Sequence, residues 1–229
     1  MSAALGVVVI TGGASGLGAA VARAVAGDGG TPVVLDRAPP DGDLDHEVVD
    51  LAFPREAEAA TRRAGERHGG IDAVVAAAGT DSCGALGDVP AEEWERVVAV
   101  NLVGNVAVVR AALPFLERAG GRVVTVASTL GLRGFGDATA YCASKFGMVG
   151  FTRALAAETA GRVGVTLLIP GGMETAFFNG RDERYKPPPD AKLNRPEDVA
   201  AAVLFALRQP PGCEVRELLV APSTEASWP

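Results

Sequence analysis

Short runs of β-branched and aliphatic residues alternate along the chain with longer stretches whose apolar positions recur every three or four residues. The runs Val7–Ile10, Pro32–Leu35, Glu47–Val49, Ile71–Ala76, Arg122–Ala127, Val165–Ile169 and Val215–Val220 predict strands. Leu17–Ala26, Pro54–His68, Ala91–Arg118, Ala138–Ala160 and Pro196–Arg208 predict helices. Such alternation is the signature of parallel βαβ units. Near-continuous Val, Leu, Ile and Ala in the runs fits strands covered on both faces. The pattern predicts an α/β fold, a doubly wound parallel seven-stranded sheet in one domain over residues 1–229. Only Thr175–Asn194 lacks a regular pattern, and it carries charge and Pro187-Pro188-Pro189. It follows a strand's carboxyl end, where open α/β sheets bind ligands, and it predicts a substrate lid.

Composition narrows the class of partner. With 229 residues the chain suits one full core, and 48% hydrophobic with 21% charged residues is the balance of a globular protein. A net charge of -7 argues against a nucleic-acid surface. No run reads as a membrane span, and no basic segment precedes Val7, so the expected location is cytoplasmic. Cys83, Cys142 and Cys213 are too few and too scattered for a disulfide framework or a metal site.

The candidate chemistry lies in two places. Thr11-Gly12-Gly13-Ala14-Ser15-Gly16-Leu17-Gly18 sits between the first strand and the first helix. Glycines there let the backbone approach a ligand, and the helix N-terminus offers free N–H groups to a pyrophosphate. The spacing is Gly–x3–Gly–x–Gly, so a glycine-rich turn without a ligand stays open on this motif alone. Further on, Tyr141 and Lys145 stand one helical turn apart, with Ser128 at the end of a strand run upstream. A free phenol titrates near ~10, and a neighbouring cation would lower it toward useful acid–base chemistry.

Thr11–Gly18, Asn101, Ser128, Tyr141 and Lys145, in this order and spacing, resemble the single-domain short-chain dehydrogenase/reductases over nearly the whole chain. The resemblance implies a Rossmann fold and hydride transfer between a nicotinamide cofactor and a small alcohol or ketone. Tyr141 would be the general acid/base, with Lys145 lowering its pKa and bonding the nicotinamide ribose. Ser128 would hold the reacting oxygen, and Asn101 a relay water. The cofactor set would be Gly12, Ser15, Gly16, Leu17, Gly18, Asp36, Asp50, Leu51, Ala78, Gly79, Tyr141, Lys145, Pro170, Gly171 and Thr175. Asp50-Leu51 would cradle the adenine, and Thr175 would meet the carboxamide. Ala76 stands where the family usually has a sheet-supporting asparagine.

Asp36 ends the second strand, where a carboxylate binds the ribose hydroxyls of NAD and repels the 2′-phosphate of NADP. Arg37 beside it could instead receive that phosphate. Ser15, where NADP-preferring relatives often carry a basic residue, also favours NAD. Leu130, Leu132, Phe135, Met173, Phe177 and Phe178 suggest an apolar substrate wall, with Arg133 as a solvated loop charge or an anion contact. The expected function is an NAD(H)-dependent secondary-alcohol dehydrogenase/ketone reductase. A 3-oxoacyl thioester reductase and a non-catalytic NAD-binding regulator are the alternatives. The resemblance also implies a homodimer or homotetramer, built on the helices around 91–118 and 146–160. Trp228, near the end of Ser227-Trp228-Pro229, is expected to pack against protein, preferably a partner subunit.

Overall fold

The computed structural model describes residues 5–225 and 227–228. Among these, seven strands form one parallel sheet: β1 (Val7–Thr11), β2 (Thr31–Asp36), β3 (Asp45–Val48), β4 (Ala73–Ala76), β5 (Arg122–Val126), β6 (Gly164–Pro170) and β7 (Glu217–Val220). Their order is β3-β2-β1-β4-β5-β6-β7, so the chain reverses direction across the sheet between β1 and β4. Side-chain alternation on β1 divides the core. Val8 and Ile10 pack with helices α1 (Gly16–Gly27) and α6 (Pro196–Leu207). Val9 points to the opposite face, with α2 (Pro54–His68) and α4 (Asn105–Ala119). The remaining long helices are α3 (Ala91–Val98) and α5 (Thr139–Glu158).

The predicted helix over 91–118 is continuous in length but not in type. Between α3 and α4, Ala99–Gly104 winds as a π-helix around Asn101. The wider turn displaces backbone carbonyls from the regular ladder, and the Asn105 side-chain nitrogen bonds two of them, Val100 O at 3.2 Å and Asn101 O at 3.1 Å. The whole Ala91–Ala119 helix is long and apolar enough to cross a membrane, contrary to the reading of the sequence. Its most apolar window is 56% buried inside the protein, as in the core helix of a folded domain.

Strand ends differ from the apolar runs for local reasons. β4 begins at Ala73 rather than Ile71, because Asp72 turns its carboxylate to accept from Val7 N at 2.7 Å. β3 is a polar edge strand, shifted toward Asp45, which α2 holds by Arg63–Glu47 and Arg67–Asp45 ion pairs. Thr175–Asn194 forms short 3₁₀ turns at Ala176–Phe178 and Glu183–Tyr185 and closes on the body by a Met173–Asn194 bridge. In the tail, Ser227 Oγ donates to Thr129 Oγ1 at 2.7 Å, while Glu225 Oε2 accepts from Gly172 N at 2.7 Å. Trp228 is 43% exposed in the single chain, and Pro229 lies outside the described residues.

Candidate active site

A chamber of about 1500 Å³ opens over the carboxyl ends of the strands, at the point where the chain reverses. One side is the glycine-rich turn. Gly12 has φ +70°, a conformation that favours glycine, and its N–H bonds Leu35 O at 3.0 Å. A methyl group on Gly18 would sit 2.2 Å from Gly12 O, so α1 can start here only by packing bare backbone on bare backbone. Ser15, Gly16 and Leu17 then present the first turn of α1 to the chamber.

Asp36 stands at the end of β2 on the chamber wall, its Oδ2 accepting from Ala14 N at 3.1 Å and its Oδ1 from Ala38 N at 3.3 Å. Each carboxylate oxygen keeps acceptor capacity for a further partner. Asp50 is tied to Ala52 N at 2.9 Å and to Arg96 at 2.8 Å, and Leu51 is buried beside it. On the opposite side, Ala78 and Gly79 follow β4, and Pro170-Gly171 ends β6. Thr175 caps the 3₁₀ turn Ala176–Phe178, its Oγ1 accepting from Phe177 N at 3.3 Å, and its methyl reaches toward Gly16.

Ser128, Tyr141 and Lys145 meet between these walls. Ser128 caps the turn after β5, its Oγ accepting from Leu130 N at 3.2 Å. Tyr141, on the first turn of α5, is half-buried. Burial pushes its phenol up to about 12 against a downward pull from the Ser128 hydroxyl. Lys145 is 3% exposed and its Nζ donates to Val126 O at 2.9 Å, 5.5 Å from the centre of the Tyr141 ring. Burial pulls this ammonium down to about 8, and the Asp81 carboxylate pushes it back up. The expected lowering of Tyr141 by Lys145 is therefore not achieved by these two side chains. The lysine is itself desolvated and is engaged with a carbonyl.

Asn101 joins the site from the π-helix with its side-chain amide committed to protein. Its Oδ1 accepts from Thr80 N at 2.7 Å, and its Nδ2 donates to Thr80 O at 2.8 Å and Ser144 Oγ at 3.1 Å. No hydrogen of that amide is left for the relay water that the resemblance implies. Asn101 instead fixes the loop carrying Gly79 beside Lys145. Leu132, expected on the substrate wall, turns into the core with Met148 and Ile169, while Arg133 is exposed.

Asn105 and one pairing escaped the sequence reading, which places Asp81 only within the pocket stretch Ala78–Gly84 and Arg181 only within Thr175–Asn194. Asn105 bonds Thr11 and Ala78, and its signal was a second lone amide in an apolar run four residues after Asn101. Asp81 and Arg181 form an ion pair across the chamber mouth. They are a hundred residues apart, with no local pattern to connect them.

A family model of the short chain dehydrogenases matches residues 6–186. The chain belongs to this family. An uncharacterized oxidoreductase of Staphylococcus aureus is similar, at 32% identity over 228 residues covering 94% of this chain and 96% of the relative. A glycine betaine reductase of Emericella nidulans is 33% identical over 96% of this chain, which spans only 19% of that relative's length. Among solved structures, an alcohol dehydrogenase from Thermococcus sibiricus complexed with 5-hydroxy-NADP shares 27% identity at a TM-score of 0.84, over 93% of this chain and 95% of that one. The ligand-free aldohexose dehydrogenase of Thermoplasma acidophilum, at 24% identity, 96% and 95% coverage and a TM-score of 0.87, supports the fold alone. As a short-chain dehydrogenase the chain is an oxidoreductase of a family that binds a nicotinamide cofactor. The residues present fit such a group: the bare backbone at Gly12, Gly13, Gly16 and Gly18, the first-turn N–H groups of α1 and a chamber above the size of an ordinary small-ligand pocket.

Proposed function

We propose that the chain interconverts a secondary alcohol and a ketone with NAD(H), with Tyr141 as the general acid/base. The observation that carries this reading is the convergence of Tyr141, Ser128 and Lys145 with the glycine turn in one chamber. When bound, the nicotinamide supplies or takes the hydride. The glycine turn and the start of α1 hold the pyrophosphate, and Thr175 orients the carboxamide end. Tyr141, a phenol protonated at neutral pH, donates its proton to the ketone oxygen. Ser128 hydrogen-bonds the same oxygen as charge develops on it. Lys145, positive below about 8, would hold the nicotinamide ribose. A screen of secondary alcohols and ketones with NAD(H) and NADP(H) tests the reading. Turnover of any of them also excludes a purely regulatory NAD-binding role.

NAD over NADP rests on Asp36, whose carboxylate lines the chamber at the end of β2 and would take the adenosine ribose hydroxyls. The NADP reading has one observation in its favour, the 5-hydroxy-NADP bound to the similar Thermococcus sibiricus enzyme, and Arg37 would serve it here. We further propose a homo-oligomer. Val103 on the π-helix and Phe146 on α5 are 44% and 45% exposed, a surface that a second copy would cover. Trp228 offers a further apolar contact to such a partner.

A further inference from the structure

Asp81 lies two residues beyond Gly79 in the loop after β4, and Arg181 lies in the lid. Arg181 Nη2 is 3.0 Å from Asp81 Oδ2, with the two side chains only 15% and 6% exposed. Nη2 is enclosed, yet it directs no hydrogen at an acceptor in good geometry, so the contact is one of charge rather than of a directed hydrogen bond. The guanidinium is stacked over Phe177 at 4.5 Å and Phe178 at 4.8 Å. The Phe177 ring in turn lies 5.7 Å from that of Tyr141. Arg181 is thus one ring behind the Tyr141 phenol, on the segment Thr175–Asn194 beside the chamber.

A buried carboxylate left without its partner is an uncompensated charge in a medium that screens poorly. Asp81 would then act on whatever ionises nearby. We propose that Arg181 is a positioning residue for proton transfer: stacked on Phe177 and paired with Asp81, it cancels the field of Asp81 at Tyr141 and keeps the phenol able to release its proton. This rests on the reading of Tyr141 as the acid/base. The directions agree, because Asp81 raises the Tyr141 pKa and Arg181 lowers it. The other ionisable groups facing the phenol are Lys145 and Cys142 on its own helix, and neither is carried by the lid. Around the pair, Cys83 donates to Asp81 at 3.2 Å and remains a neutral thiol, its pKa pushed up to about 11 by burial and Asp81. Tyr185 ties the lid separately to Asp137 at 3.0 Å.

The chain has only two tyrosines, Tyr141 and Tyr185. In a Tyr185→Phe background, biosynthetic incorporation of a more acidic fluorinated tyrosine reports Tyr141 alone by tyrosinate absorbance, at a pH where the fold is intact. Arg181→Ala should raise its pKa by about one unit, roughly a tenfold loss of phenolate at fixed pH. Arg181→Gln, which keeps a planar group on Phe177 without the charge, should raise it similarly. Arg181→Lys should restore it, and the Asp81→Asn/Arg181→Gln pair should return close to the parent value. An unchanged pKa in Arg181→Gln, or a double variant that stays shifted, would overturn the proposal. The titration needs no turnover, so it decides this point separately from the substrate screen.

Discussion

Thr11 Oγ1 donates a 2.6 Å hydrogen bond to Asn105 Oδ1, joining the start of the glycine-rich turn to the first residue of α4 through two buried side chains. The same Thr11 oxygen accepts from Ala77 N at 2.9 Å and Ala78 N at 3.0 Å, and Asn105 Nδ2 donates to Ala78 O at 2.9 Å. One amide and one hydroxyl thus close the gap between the ends of β1 and β4. Ala76 supplies no side-chain bond at this strand end, so the support comes from the helix instead.

Asn105→Ala should leave Thr11 and Ala78 O short of partners in a dry site, at a cost of about 1–3 kcal/mol for each unsatisfied group. Thermal unfolding should fall by roughly 5–15 °C, on a scale of a few degrees per kcal/mol at this size. NADH affinity should weaken as the Ala77–Gly79 segment loosens. A melting temperature unchanged from the wild type would show that the network is not a support.

Gly18→Ala tests the cradle more severely. The added methyl meets Gly12 O at 2.2 Å, and a backbone oxygen cannot move aside as a flexible side chain can. NADH binding, followed by fluorescence quenching, should weaken by an order of magnitude or more. Wild-type affinity in this variant would mean that the turn does not approach the cofactor.

Cofactor choice should turn on Asp36. The wild type should show the higher kcat/KM with NAD, and Asp36→Ala should narrow the gap by removing both repulsion and the ribose bonds. Because Asp36 also braces Ala14 N, its loss should lower stability slightly as well. Equal kcat/KM for NAD and NADP in the wild type would refute the assignment and point to Arg37.

The pH dependence follows from Lys145. Burial lowers its pKa to about 8, so its charge is present below that value and is lost as pH rises through it. The kcat/KM for NADH, which reports ionisations of the free enzyme, should be level below about 8 and fall above it. A profile that stays flat well above this point would show that the lysine is not desolvated as the structure has it.

Much of this site was legible because its chemistry is local in sequence. The glycine turn, Tyr141 with Lys145 one turn later, and Ser128 at the end of an apolar run each carry their own spacing. What the pattern missed depends on distant pairing or on a departure from regular geometry. β3 begins at Asp45, since ion pairs to α2 rather than apolar burial hold it. The π-turn at Asn101 looks like any α-helix to a three-to-four-residue periodicity, and the bonds of Asn105 exist only once that turn has formed. Leu132 faces the core rather than the chamber because the short turn after Ser128 sets its direction. The Asp81–Arg181 pair requires the lid to be folded back over the strand ends.

The most direct test compares wild type with Tyr141→Phe. Ketone reduction is followed by loss of NADH absorbance, and NADH binding is measured separately by fluorescence. The substitution removes one hydroxyl and with it the proton donor. The rate should fall by at least about 10²–10⁴-fold while NADH affinity stays within about twofold of the wild type. A Tyr141→Phe enzyme that reduces ketones at close to the wild-type rate would contradict the account.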